Sequence, residues 1–427
     1  MATWNGTPSP HFDAEAKVSK ENENFDASRC FLPGHHWRRR QGRLSSEPRA
    51  RKKGHEVHVL TRNPEGNLPS HQKIEANLFA HRFNLPAREG LGFFFCEIKN
   101  AYSEAKRASQ ETDFDLVCAH QSLVALGSFL SSSIRNTPFV HCFYSPWHEE
   151  YLIKKRNIKG ETPWLAKTIA FFMRQMEKRI LFKAKKVFVL SRYSAEQISA
   201  IHQLPPERVM MIPGGIDLSR FRLPDGGKAT IKKGLDFPLD KTVFLTVRNL
   251  VPRMGIENLI EAFKSSHILR EKGLLFIGGE GFLKESLRAL VEKHGLEKSI
   301  RFLGRILEED LPSYYQAADF FLLPTRELEG FGLVILEAMA SGTPVLGTPV
   351  GAIPEIISLF DRNLLFEGTR HEDMRTKLED VVQHPEKYRF DPESCRRFVE
   401  ERYSWKKMAA AFEEEMIKLV DQKSTKA

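Results

Sequence analysis

Two glutamates, Glu329 and Glu337, bracket the stretch Gly330-Phe331-Gly332-Leu333-Val334-Ile335-Leu336, which continues through Ala338-Met339-Ala340-Ser341 to Gly342. The segment follows an apolar run ending at Pro324 and reads as a loop entering a helix that begins near Phe331 and stops near Gly342. Free backbone N–H groups at such a helix start, with the dipole behind them, form an anion site suited to a diphosphate. Glycine on either side of Phe331 lets a ligand approach the backbone closely. Glu337 lies two turns into the helix among Val334, Ile335, Leu336, Ala338 and Met339, so it is not expected to face bulk water. A carboxylate there can accept two hydrogen bonds from a vicinal diol such as a ribose. Taken singly, Glu337 could be a solvated helix position and Glu329 a loop carboxylate beside Glu327.

Other residues with chemical potential also stand just after β-rich runs. Arg248 and Arg253 follow Val243–Val247, where cations could meet an anionic ligand; either alone could be a surface arginine. Gly278-Gly279-Glu280-Gly281 follows Leu274–Ile277, which favours nucleotide or phosphate contact over a bare turn. His120 ends the run Asp115–Ala119. The aromatic-rich segment His141 to Glu150 suits stacking on sugar rings about as well as it suits local packing. Asp113-Phe114-Asp115 has the form of a metal-binding pair but begins its strand, on the side away from any cleft, and is rejected as a metal site.

The elements that must position these residues alternate. From Gly54, short β-rich runs (Glu56–Thr61, Phe114–Ala119, Pro138–Phe143, Lys186–Leu190) are separated by helical patterns, and a second series (Val243–Val247, Leu274–Ile277, Ile300–Leu303, Phe320–Leu323, Pro344–Leu346) does the same. Such alternation predicts an α/β protein with parallel sheets covered by helices. Pro224, Gly226, Gly227, Gly234 and Pro238 mark a connection between the series. The sequence therefore reads as two Rossmann-like domains facing across a cleft, over residues 51–222 and 223–404, with ligands at the carboxyl ends of the strands. The final helix, 405–420, carries a one-sided apolar pattern and must pack on something, the first domain being one candidate. Residues 1–50 are polar and read as a disordered or aberrant tail with no apolar strand before Gly54.

Composition narrows the function classes. The chain has 427 residues, 41% apolar and 28% charged, as in ordinary globular proteins. Its net charge of +9 is concentrated at the start, where residues 1–53 hold eleven Lys and Arg against six Asp and Glu. The short run Trp37-Arg38-Arg39-Arg40 lacks interleaved aromatics, so no nucleic-acid partner is expected. Five scattered cysteines show no zinc spacing and suit a reducing compartment. No run is long and apolar enough for a bilayer span, and the start lacks a secretory h-region. A cytoplasmic protein is expected, either free or at the inner face of a membrane.

The Glu329 to Gly342 stretch resembles the Glu-x7-Glu signature of the retaining nucleotide-sugar glycosyltransferases of family four, glycosyl transferases group 1, which have the GT-B fold. Ser191-Arg192-Tyr193-Ser194, Met211 to Asp217, Arg248 to Gly255 and Ile277 to Gly281 resemble that family's segments in the same order, over roughly residues 54–420. The resemblance implies transfer of a sugar from a nucleoside-diphosphate donor to a saccharide, lipid-linked or small-molecule hydroxyl, with retention of configuration and no metal or other cofactor. It assigns ribose binding to Glu337, donor-sugar hydroxyls to Glu329, and diphosphate and sugar contacts to the amides of Phe331, Gly332 and Leu333. Arg253 would contact the diphosphate with Arg248 as second cation, since Asn249 stands where the common form has arginine. Gly279 and Glu280 fall at a donor-side loop, and His120 at a family histidine near the reacting sugar or diphosphate. The family's first strand and Gly-Gly loop have no counterpart before Lys52-Lys53-Gly54-His55-Glu56-Val57; a reading-frame shift across Trp37–Arg40 would account for that. The alternative function is therefore a catalytically impaired nucleotide-sugar-binding protein.

Overall fold

Strands buried on both faces read as unbroken apolar runs, and such runs build two sheets here. The computed structural model describes residues 29–33, 55–63, 66–85, 91–155 and 163–424. The first sheet has the order β3-β4-β2-β1-β5-β6-β7-β8. Its strands are β1 (Arg29–Pro33), β2 (Glu56–Arg62), β3 (His71–Glu75), β4 (Leu78–Phe83), β5 (Leu116–Ala119), β6 (Phe139–Phe143), β7 (Lys186–Val189) and β8 (Val209–Met211). The second sheet, β11-β10-β9-β12-β13, comprises β9 (Thr242–Val247), β10 (Gly273–Gly278), β11 (Ile300–Gly304), β12 (Phe320–Leu323) and β13 (Val345–Gly347). Pairing is parallel except between β3 and β4 at the first sheet's edge.

One expectation is corrected at the centre of the first sheet. A strand does precede Gly54: β1 pairs in parallel with β2 on one side, Cys30 opposite Val57, and with β5 on the other, Phe31 opposite Val117. Its apolar signal is only Cys-Phe-Leu between an arginine and a proline, too short to register as a strand by pattern. Residues 1–50 are thus not wholly outside the fold. The glycine-loop position, Trp37–Arg40 and the frame-shift reading lie outside the described residues. The edge strands β3 and β8, and β4 beside β3, also lacked a signal: β3 is His-Gln-Lys-Ile-Glu and largely exposed, as edges commonly are.

The helices that frame the site and the first sheet are α1 (Leu91–Glu111), α2 (Trp147–Lys155), α3 (Trp164–Lys183), α4 (Arg192–His202), α5 (Leu311–Ala317), α6 (Leu333–Ala340), α7 (Ile353–Phe360) and α8 (Trp405–Ser424). The apolar stripe of α8, Met408, Phe412, Met416, Leu419 and Val420, packs on the first sheet against Val57, Cys118, Val140 and Phe188. The Phe412 and Phe188 rings lie 4.5 Å apart. Helix α8 thus returns to the half that carries β1. Its return past the second half is held by Ile216, whose N–H donates to Tyr403 O at 2.8 Å and whose carbonyl accepts from Trp405 N–H at 3.2 Å.

Strand order reverses at β1/β5 in the first sheet and at β9/β12 in the second. In open parallel sheets those reversals open a crevice at the carboxyl ends of the strands. The loops after β5, β9 and β12 are therefore the ones that can carry a site.

Candidate active site

The loop after β12 and helix α6 form the second half's contribution. Gly332 caps α6 at φ 82°, a left-handed conformation in which a β-carbon is strained. Every residue of α6 after Leu333 is buried, Glu337 included at 6% exposure. An unpaired carboxylate in that setting would be costly. It is met by the Tyr315 hydroxyl of α5, which donates to Glu337 Oε2 at 2.7 Å.

Glu329 and Arg248, assigned separately by the sequence, are brought together. Arg248 follows β9, is 2% exposed, and donates through Nη2 to Glu329 Oε2 and to Thr325 Oγ1, the latter at 3.3 Å. Met254 Sδ lies 2.8 Å from the same nitrogen. Arg253, farther along the same loop, reaches the residue before Glu329, and its Nη1 donates to Leu328 O at 2.8 Å. Leu328 itself has φ 54°, the left-handed region, which costs energy for a side chain of this size. A β-carbon on Gly255 would stand 1.9 Å from Pro324 O, so the loops after β9 and β12 touch backbone to backbone. The loop after β10 joins them: Leu250 N–H donates to Glu280 O at 2.9 Å, and Gly279 N–H donates to Gly304 O at 2.7 Å. The Glu280 carboxylate faces solvent and pairs with Lys284 at 2.8 Å.

From the first half, His120 at the end of β5 and Tyr144 just past β6 stack with centroids 5.9 Å apart, and His120 Nδ1 lies 2.6 Å from the Tyr144 hydroxyl. Behind them His141 is fully buried, and desolvation holds it in the neutral form with a pKa lowered to about 4. Burial alone would lift Glu177 on α3. Hydrogen bonds from His148 and His202 and from the Trp147 backbone N–H outweigh that and hold its carboxyl below the ordinary range. His148 and Trp147 begin α2, so Glu177 anchors the aromatic-rich segment singled out in the sequence.

The two halves meet at Gly330. Ser191 and Ser194, at the start of α4, donate to Gly330 O at 2.6 and 3.2 Å. A β-carbon on Gly330 would stand 2.4 Å from Tyr144 O. Glu355 of α7 accepts from the backbone N–H groups of Arg192 and Tyr193 at 2.9 and 2.6 Å, a carboxylate of one half seated on a helix N-terminus of the other. Sequence reading missed Glu355, because a glutamate in the first turn of a helix looks like ordinary dipole compensation for its own helix. Beside this junction lies a cavity of about 460 Å³, lined by Glu149, Ile153 and Tyr193 from one half and Arg326, Glu327 and Leu328 from the other. Neither Glu329 nor Glu337 lines it. Both carboxylates are buried, with protein donors on them.

Comparison with known proteins places this geometry. The family described as Glycosyl transferases group 1 matches residues 227–405, and that described as Glycosyltransferase Family 4 matches residues 48–220. A D-inositol 3-phosphate glycosyltransferase of Streptomyces bingchenggensis is 26% identical over 375 residues, covering 83% of this chain and 79% of that one. A GDP-mannose-dependent monoacylated alpha-(1-6)-phosphatidylinositol monomannoside mannosyltransferase of Corynebacterium glutamicum is 32% identical over 205 residues, 46% of this chain and 53% of that one. Among solved structures, sucrose-phosphate synthase from Thermosynechococcus elongatus superposes with a TM-score of 0.78 at 20% identity, over 92% of this chain and all of that one. The Anabaena protein HepE in complex with UDP-glucose gives a TM-score of 0.70 at 16% identity, over 92% of this chain and 99% of that one.

Proposed function

Since this chain belongs to the glycosyl transferases group 1, a glycosyltransferase family with the GT-B fold, we propose that it moves a sugar from a nucleoside-diphosphate donor to an acceptor hydroxyl with the anomeric configuration retained. The observation that supports this most is the convergence at Gly330. Glycine loop, helix N-terminus, Arg248, Arg253 and Glu329 come from the second half, and His120, Tyr144 and Ser191 from the first, all at the carboxyl ends of parallel strands.

In this reading Glu337 binds the ribose hydroxyls, exchanging the Tyr315 contact for them or sharing it. The amides of Phe331, Gly332 and Leu333 bind diphosphate and sugar. As the anomeric C–O bond breaks, negative charge grows on the departing diphosphate, and Arg253 and the α6 N-terminus are positioned to stabilise it without a metal. Arg248 acts through Glu329: the ion pair holds the carboxylate in place for the donor-sugar hydroxyls. The departing phosphate then takes the acceptor's proton on the same face. His120, its ring fixed by Tyr144, borders the reacting sugar.

Calorimetric titration with UDP, GDP and ADP tests the donor assignment. Glu337→Gln should weaken the preferred nucleotide about 10- to 100-fold, the loss expected for a charged hydrogen bond; equal affinities would remove Glu337 from the ribose site. Donor turnover followed by NMR reads the anomeric outcome, and added Mg²⁺ should leave kcat unchanged. The competing reading, a binder without turnover, rested in part on a missing first strand, and β1 removes that part. Nucleotide binding with neither hydrolysis nor transfer would favour it.

For the acceptor we propose a lipid-linked saccharide met at a membrane surface. Helix α3 exposes Trp164, Phe171 and Phe172 at 77, 57 and 60%, alongside the exposed Lys167, Arg174 and Arg179. Aromatic and basic residues on one helix suit an anionic interface. Among the described residues no helix is long and apolar enough to cross a membrane. Flotation with anionic but not zwitterionic vesicles, lost in a Trp164→Ser, Phe171→Ser, Phe172→Ser variant, checks this.

A further inference from the structure

At the first sheet's far edge, away from the junction, three histidines and two glutamates gather beside a cavity of about 350 Å³. His71 on β3 and His81 on β4 are direct cross-strand partners, and their Nδ1 atoms lie 3.1 Å apart. Glu104 of α1 reaches over from the helix layer to within 3.0 Å of His71 Nε2. Those two atoms are buried, yet neither makes a hydrogen bond: they are close but out of line. One nitrogen from each ring and one Glu104 oxygen fall within 4.8 Å of one another.

If His71 donates from Nδ1 to His81 Nδ1, its Nε2 carries no proton and meets the Glu104 carboxylate lone pair to lone pair, an arrangement that a cation would relieve. Around a tetrahedral zinc-class ion, with bonds of about 2.0–2.1 Å, neighbouring nitrogens stand roughly 3.3 Å apart. The contacts behind His81 also fit a ligand. Its Nε2 lies 2.9 Å from His58 Nδ1, and His58 Nε2 lies 3.0 Å from Glu56 Oε1. A single choice of tautomers satisfies both contacts: His81 donates from Nε2 to His58, and His58 donates from Nε2 to Glu56. That leaves the His81 Nδ1 lone pair facing His71 Nδ1. Such an imidazole-to-carboxylate relay is what orients a metal-bound histidine. Two cations oppose a metal here: Arg107, one turn from Glu104 on α1, leans toward Glu111 at 3.6 Å, and Lys73, which lines the cavity, lies over the Phe79 ring.

We propose that His71, His81 and Glu104 bind one divalent transition-metal ion of the zinc class, with the fourth position open to the cavity. The ion needs a contraction of the donors by roughly 1 Å, which His71 on a partly exposed edge strand can provide. Its effect is to tie the β3–β4 hairpin to α1, closing an edge that is otherwise held on one side only.

The test uses the full chain, stripped with a chelator and titrated with Co²⁺ and Zn²⁺. The expected result is one equivalent bound, with cobalt d–d bands and no thiolate-to-cobalt charge transfer, and a zinc-dependent rise in Tm. His71→Gln with Glu104→Gln should weaken binding at least tenfold and abolish the Tm rise, with near-UV circular dichroism unchanged. If that double variant is misfolded, His71→Gln alone, on the edge strand, carries the same expectation. His148→Gln should leave binding intact, which separates this cluster from His148, Glu177 and His202. A charge-transfer band would instead place the ion at Cys118 and Cys142. That band, absence of binding, or full binding in a folded variant overturns the proposal.

Discussion

The two halves of this molecule treat buried charge differently. In the second half the Arg248–Glu329 pair and Glu337 gather at the ends of β9 and β12 and on α6, and the remaining buried charge among the described residues, Lys232, is paired with Asp319 just before β12. In the first half buried polar groups are dispersed: Glu97 with Arg62, Glu177 with His148 and His202, His58 with His81, and His141 mid-sheet. Polar groups gathered at strand ends can be shared with a ligand that enters there. Groups dispersed through a sheet lean mainly on one another, so they act as fasteners and make that half sensitive to protonation, and only those near an edge, such as His81, can also be shared with an ion.

The largest expected effect breaks the second half's cluster. Glu329→Ala leaves Arg248 buried without its carboxylate and should cost roughly 3–5 kcal/mol in urea unfolding, beyond any loss of donor binding. A change below about 1 kcal/mol would mean that water reaches the guanidinium and that the pair is not structural. Next comes the first half's response to acid. The folded-state pKa of His141 is lowered to about 4 from 6.5, so the unfolded chain takes up that proton first. Its stabilising contribution is full above pH 6.5 and lost as pH falls toward 4, about 3 kcal/mol at 1.36 kcal/mol per unit. His81, lowered to about 3 by burial and by His58, His71 and Arg107, falls in the same direction. The difference between wild-type and His141→Asn unfolding curves from pH 7 to 4 isolates one residue, and parallel curves would contradict the assignment.

Two smaller effects probe how the halves are joined. Phe412→Ala on α8 removes a partly buried ring from the first sheet and should cost about 2 kcal/mol, read as a lower urea midpoint. If the loss appears only in the second half's transition, α8 does not fasten the first. Glu355→Ala removes the acceptor for two N–H groups of α4 and should cost about 1 kcal/mol, because Ser191 still caps the helix from its own chain segment. The variant should also widen the angle between the halves in solution scattering. An unchanged profile would show that Gly330 and its serine donors suffice.

Much of the fold was legible because its signals are local. The runs at Val243–Val247, Leu274–Ile277 and Phe320–Leu323 are buried on both faces and keep nearly the bounds read from the sequence. Strand β1 was not legible, since a short central strand depends on its neighbours for burial and carries little pattern of its own. At the site, the loop and helix around Glu329 and Glu337 were readable from glycine placement and apolar surroundings. The Arg248–Glu329 pair, formed across 81 residues, was not.

Residues adjacent along the chain thus determined the alternation of strand and helix, the glycine-flanked entry to α6 and the burial of Glu337, because backbone preference and apolar periodicity act over a turn or two. Register and strand order decided the rest: which carboxylate meets Arg248, which helix Glu355 caps, and that His71 stands opposite His81. Such contacts depend on where distant segments cross, and side-chain type at a single position carries no record of that crossing.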